Sequence, residues 1–144
     1  MAIEIFFETA APARIKRAAP LFKKAVRAAL GTGRSRHTAC LVFTGDPGIK
    51  KLNKRFLGRN RFTDVIAFNY PSPPGFKLPP VFGDIYVSLP QAVRQARAMR
   101  HSVLTELLIL AVHGALHLAG MNDATAEMRR RMNLKTVAIL KKLS

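Results

Sequence analysis

In 144 residues the chain carries 24 Lys and Arg against 8 Asp and Glu, a formal charge of +16, with 49% hydrophobic residues and one cysteine. That composition excludes a disordered chain and an internal disulfide, and its longest apolar run, about 103–118, is shorter than the ~20 residues of a membrane span. The size suits one domain, 1–144, and the charge calls for a polyanionic partner. Nucleic acid is the commonest such partner and an anionic membrane surface the rival.

Residues 2–8 alternate as a strand, with Ile3, Ile5 and Phe7 on one face. They show no basic segment of a secretory signal, so a reducing, cytoplasmic location is expected. Pro12 breaks the chain before a helix over about 13–30, with Ile15, Phe22, Val26 and Leu30 inward and Arg14, Lys16, Lys23 and Arg27 outward; Gly31 and Gly33 end it. A basic loop follows with Arg34, Arg36 and His37. Residues 38–44 form a strand in which Cys40 is read as a small buried hydrophobe. Asp46-Pro47 starts the next helix, 46–57, with Asp46 as N-cap. Its inner face is Ile49, Leu52, Asn53, Phe56 and Leu57, and its outer face includes Lys50, Lys51, Lys54 and Arg55. The loop after Gly58 adds Arg59 and Arg61.

A third strand spans 63–68, a proline-stiffened loop 71–80, and a fourth strand 82–87. The last two strands are expected to pair antiparallel. Ser88-Leu-Pro-Gln91 fits a capping box for a helix to about Arg100, and Ser102 opens the next helix. The last helix, about 124–143, is expected to bury Met128, Met132, Val137, Ile139 and Leu140. The fold class is therefore α/β (α+β), a mixed four-stranded sheet packed with about five helices. The apolar helix carrying His113 and His117 is central.

Those two histidines are one turn apart and project from the same helix face, a spacing that suits zinc. Asp123, just past Gly120, supplies a third oxygen donor or else caps the last helix. His37 stands as an alternative third ligand. His101 lies twelve residues before His113, about 18 Å along a helix, and does not share the ion. Gly114 occupies the place where a zincin has its glutamate base, which argues against a peptidase.

Taken together, these stretches resemble a known family. His113-Gly-Ala-Leu-His-Leu-Ala-Gly120 is similar to the His-Gly-x-Leu-His-Leu-x-Gly core of the YbeY family, the metal-dependent endoribonucleases of ribosomal RNA maturation. Leu52-Asn53, Phe56 and Thr63-Asp-Val-Ile-Ala-Phe68 resemble its Leu-Asn…Thr-Asp-Val-Leu-Ser-Phe block. Gly83-Asp-Ile-Tyr-Val-Ser88 resembles its Gly-Asp-Ile-x-Ile-Ser strand.

The resemblance implies a single-strand-specific endoribonuclease of small-subunit ribosomal RNA 3′ end processing and ribosome quality control. It implies one Zn(2+) per chain and a basic groove, here Arg34, Arg36, Lys54, Arg55, Arg59 and Arg61. Partners would be ribosomal RNA and the small subunit, with the protein a monomer or weak oligomer. In that scheme Asn53 and Thr63 position groups near the site, the alternative being that both are ordinary helix and strand polar residues; Asp64 and Asp84 read as structural hydrogen-bond partners. Two positions depart from the family. Asp123 stands where the third histidine ligand is expected, and Leu57 where the family has an arginine at the reaction centre, which makes Arg59 the substitute. The departures favour a second reading, an RNA- or ribosome-binding assembly factor with weak or no nuclease activity.

Overall fold

A computed structural model describes residues 2–31, 38–57, 64–70 and 82–143. The elements run β1 (Ala2–Phe7), α1 (Ala13–Arg17), α2 (Ala19–Leu30), β2 (Thr38–Thr44), α3 (Asp46–Leu57), β3 (Val65–Asn69), β4 (Phe82–Ser88), α4 (Leu89–Met99), α5 (Val103–Leu118) and α6 (Ala126–Leu143). The four strands form one sheet in the order β1-β2-β4-β3. The first three are parallel, and β3 pairs antiparallel with β4, as expected.

Strand alternation sorts the sheet into two faces. Ile3, Ala39, Leu41, Phe43, Ile85 and Val87 enter the main core. Phe43 takes Phe7 and Phe22 as ring partners, at centroid distances of 5.1 and 4.9 Å. The opposite face carries Cys40, Asp84 and Tyr86, and Cys40 is half-buried there, not in the core. Partial burial, with the Asp84 and Glu4 carboxylates nearby, pushes the Cys40 thiol above its usual range.

Helix α5 is the centre of the molecule, with Leu107, Leu110, Ala111, Val112, Ala115 and Leu116 all buried. Its fit on the sheet depends on Gly114. A Cβ there would lie 2.4 Å from Ile85 Cγ2 and 3.2 Å from Val65 Cγ2. Ser102 caps the helix by accepting from the Thr105 N–H at 3.1 Å. Ser88 likewise caps α4, accepting from the Gln91 N–H at 3.2 Å.

Several local expectations change. The helix expected over 13–30 is two helices, because Pro20 has no N–H to give the Lys16 carbonyl and its ring crowds that turn. Asp46 is the first residue of α3, not a cap. Its carboxylate accepts from the Ser88 hydroxyl at 3.1 Å and from Arg94 at 3.0 Å, which ties α3 to α4, and the Arg94 hydrogen bond lowers its pKa. In α6 the buried stripe is Met132, Thr136 and Ile139, while Met128 and Val137 are exposed. The first turns of α6 extend past the core, which leaves Met128 outside, and Val137 sits about 100° around the helix from Thr136. The Thr136 hydroxyl is satisfied inside the stripe by the Met132 carbonyl at 2.8 Å. The proline-rich stretch 71–80 lies outside the described residues, as does Thr63.

Candidate metal centre

The end of α5 builds the site. Gly120 has φ +102°, a backbone conformation that side chains disfavour, and its N–H reaches the His117 carbonyl at 3.0 Å. The Met121 N–H turns back to the Leu116 carbonyl at 2.9 Å. Together these bonds form a Schellman ending, and Met121 packs its side chain on the core beside it. This reversal points the Met121 carbonyl at His117 Nδ1, 3.1 Å away. A carbonyl only accepts, so Nδ1 carries the proton of the neutral ring and Nε2 presents its lone pair.

Asp123 Oδ2 faces that Nε2 at 3.6 Å. The loop that brings it there is shaped by Asn122, whose side-chain oxygen accepts from the Ala124 N–H at 2.7 Å. Asp123 is not the cap of α6. Thr125 takes that role, with its hydroxyl accepting from the Met128 N–H at 3.1 Å, so the Asp123 carboxylate is left at the histidine.

Two acceptor atoms facing one another call for a cation or proton between them. Donors each ~2.1 Å from a tetrahedral ion are roughly 3.4 Å apart, close to the observed 3.6 Å. The donor chemistry of the pair therefore fits zinc. Among the described residues, however, no three of His, Cys, Asp and Glu are gathered tightly enough to hold an ion. The structure assembles His117 with Asp123 and leaves His113, one turn earlier on the same helix, short of that group. His37 lies outside the described residues.

Burial lowers the pKa of His113 from its usual value, and the His117 ring adds to this; the Asp64, Glu106 and Asp123 carboxylates pull the other way. The unfolded chain therefore binds more protons between the depressed folded pKa and 6.5. Stability held by the neutral ring is complete above 6.5 and is lost as pH falls through the folded value. In the metal-free protein a proton NMR titration should place the His113 midpoint below 6.5, and Asp64→Asn should move it lower still.

The other predicted positions are distributed as follows. Lys54 and Arg55 are exposed on α3, and Asn53 is buried in it. Arg34, Arg36, Arg59, Arg61 and the Leu57 side chain lie outside the description. His101 is a structural residue, with Nε2 3.2 Å from the buried Glu106. Asp64 holds the start of β3, accepting from the Val65 N–H at 2.8 Å, while its carbonyl takes the Ser88 N–H at 2.9 Å. Sequence reasoning missed the Met121 carbonyl, which has no side-chain signature; Gly120 was the only sign of the turn that delivers it. Gly120→Ala should cost about 1–2 kcal/mol, the cost of a side chain in left-handed backbone. Urea unfolding would measure the loss.

A family model described as Endoribonuclease YbeY matches residues 7–144. A protein of Elusimicrobium minutum named Endoribonuclease YbeY is 44% identical over 146 residues, spanning 99% of this chain and 100% of its own. Relatives of the same name from Geobacillus kaustophilus and Moorella thermoacetica are 38% and 41% identical, each over 69% of both chains. The solution structure of a Thermotoga maritima protein superposes with a TM-score of 0.63 over 97% of this chain and 90% of that one, at 23% identity, a likeness of fold. With a family model matched over residues 7–144 and a relative 44% identical over nearly the whole chain, this chain belongs to the endoribonuclease YbeY family.

Proposed function

We propose that this protein is a single-strand-specific endoribonuclease that matures the 3′ end of small-subunit ribosomal RNA in the cytoplasm. It would hold one zinc ion through His113, His117 and Asp123. The observation that carries the reading is the His117–Asp123 pair, with Nδ1 fixed on the Met121 carbonyl and Nε2 turned to the carboxylate at 3.6 Å. Family membership supports the same chemistry. An ion bound there supplies Lewis acidity for phosphodiester hydrolysis.

The chain's own residues divide the remaining work. The Met121 carbonyl holds the His117 ring in one tautomer and one orientation. Burial keeps His113 unprotonated near neutral pH, the state in which an imidazole ligates. Lys54 and Arg55 offer charge to the RNA backbone, and the formal +16 draws the polyanion in. Arg59 takes the role of the arginine missing at Leu57, steadying charge on the reacting phosphoryl group. The small ribosomal subunit is the setting in which that RNA is met. The reading as a binding factor without nuclease activity rests on Leu57 and Asp123, and the relatives' shared name does not favour it.

Metal analysis of purified wild type beside Asp123→Ala tests the ligand set. One zinc per wild-type chain with a clear loss in the variant is expected. Full occupancy in Asp123→Ala would remove Asp123 from the set and direct attention to His37.

A further inference from the structure

The sheet face turned away from α5 holds a second feature. Tyr86 and Asp84 point to that face, because their neighbours Ile85 and Val87 enter the core. On β3, Phe68 is the register partner of Asp84 and lies edge-on to Tyr86, with ring centroids 6.0 Å apart and planes at 71°. Leu52 of α3 comes over these rings. Among the described residues, Leu52, Phe68, Asn69, Tyr70 and Tyr86 line a cavity of about 210 Å³.

Tyr70 stands at its edge, 43% exposed, and its hydroxyl donates to Asp84 Oδ2 at 2.5 Å. That hydrogen bond, then burial and the Asp84 charge, pushes the phenol up to about 12, so the ring stays neutral at any physiological pH. The exposed ring is therefore held in place by an anchored hydroxyl. Helix α3, which supplies Leu52 to the cavity, also carries Lys50, Lys51, Lys54 and Arg55, so the element over the aromatic cavity is strongly cationic.

Aromatic platforms bordered by cations are how single-stranded nucleic acids are held, through stacked bases and a tracked backbone. The location suits that use. β3 is an edge strand of the sheet. α5 packs on its other face, with Gly114 against Val65, and Leu118 comes close to Gly83 beside the Phe68 carbonyl. The cavity and the histidine-bearing helix thus occupy opposite faces of one edge strand, and a single strand folded over that edge can meet both.

We infer that the Phe68–Tyr70–Tyr86 cavity is a nucleobase site, which receives an unpaired base of single-stranded RNA while the neighbouring phosphates lie along α3. The inference rests on the RNA reading above and adds a contact to the base, separate from the candidate metal centre.

The chain has two tyrosines and no tryptophan, so all of its intrinsic fluorescence of this kind comes from Tyr70 and Tyr86, both at the cavity. The probes are a short single-stranded oligoadenylate RNA and an abasic ribose-phosphate oligomer of the same length. Both are titrated into His117→Ala protein so that no cleavage intervenes. The oligoadenylate should quench the tyrosine emission, and the abasic oligomer should not. Affinity of fluorescently labelled oligoadenylate, read by anisotropy, should fall roughly 5- to 150-fold in Tyr70→Leu, the range of one lost base stack, and be kept in Tyr70→Phe.

Equal quenching by the two oligomers, or wild-type affinity in a folded Tyr70→Leu, would overturn the base site. If Tyr70→Leu does not fold, the contrast between the two oligomers decides alone. Cleavage is measured separately with wild type. Absent cleavage with base-dependent quenching intact defeats the nuclease reading and leaves the base site, and intact cleavage without base-dependent quenching does the reverse.

Discussion

Gly114→Glu, which would write the zincin sequence His-Glu-x-x-His into α5, is expected to leave the protein largely unfolded and without peptidase activity. The position faces the sheet, not the histidines' open side. Even the first atom of a side chain would lie 2.4 Å from Ile85 Cγ2, where no real Cβ sits. Overpacking of this kind costs about 1–3 kcal/mol. A carboxylate buried there without a partner adds several kcal/mol more, against a typical total stability of roughly 5–15 kcal/mol. Gly114→Ala separates the two contributions. It keeps the clash, recovers about 1 kcal/mol of helix propensity, and should lower stability by about 0–2 kcal/mol. Circular dichroism with urea unfolding would follow both variants. A folded Gly114→Glu protein with the wild-type midpoint would show that α5 does not pack on β4 as described.

The second large effect is on chemistry. His117→Ala removes the imidazole whose tautomer and direction the Met121 carbonyl fixes. Groups that merely orient a metal ligand cost roughly 10- to 100-fold when lost, so a ligand itself belongs at or beyond the top of that range. RNA cleavage should fall about 100-fold or more. Binding of single-stranded RNA should change little, because the substitution leaves every Lys and Arg of the basic surface in place. A binding defect equal to the cleavage defect would mean that His117 acts in RNA recognition and not at the reaction.

Much of this was readable in the chain because local rules and packing agree. The apolar helix with two histidines is central as its composition required, and both Ser88 and Ser102 cap the helices they precede. The antiparallel pairing of β3 with β4 followed from adjacency. Where tertiary contacts compete with local preference, the sequence was a poorer guide. Asp46 has the composition of a cap, but Ser88 and Arg94, more than forty residues away, claim its carboxylate. Asp123 also resembled a cap, and Thr125 two residues later took the position. Cys40 sits in an apolar run whose alternate residues face opposite sides of the sheet, and only the register with β4 shows that its side is the one with Asp84.

The candidate site was legible to a similar degree. His113, His117 and Asp123 could be named from spacing and family resemblance, but the carbonyl that orients His117 arises from a backbone turn. The aromatic cavity combines residues from three separate elements, and no local period reveals it. Gly114 was noticed for the glutamate it replaces, whereas its structural role is to let α5 lie on Ile85 and Val65.

The central claim is that this chain cuts RNA at a centre built on His117. The most direct measurement incubates wild type and His117→Ala, each with zinc, with a small-subunit ribosomal RNA precursor extended at its 3′ end, and maps the products. Cleavage in the single-stranded extension by wild type, lost in His117→Ala, is the predicted result. Equal cleavage by both proteins, or none by zinc-loaded wild type, would contradict it.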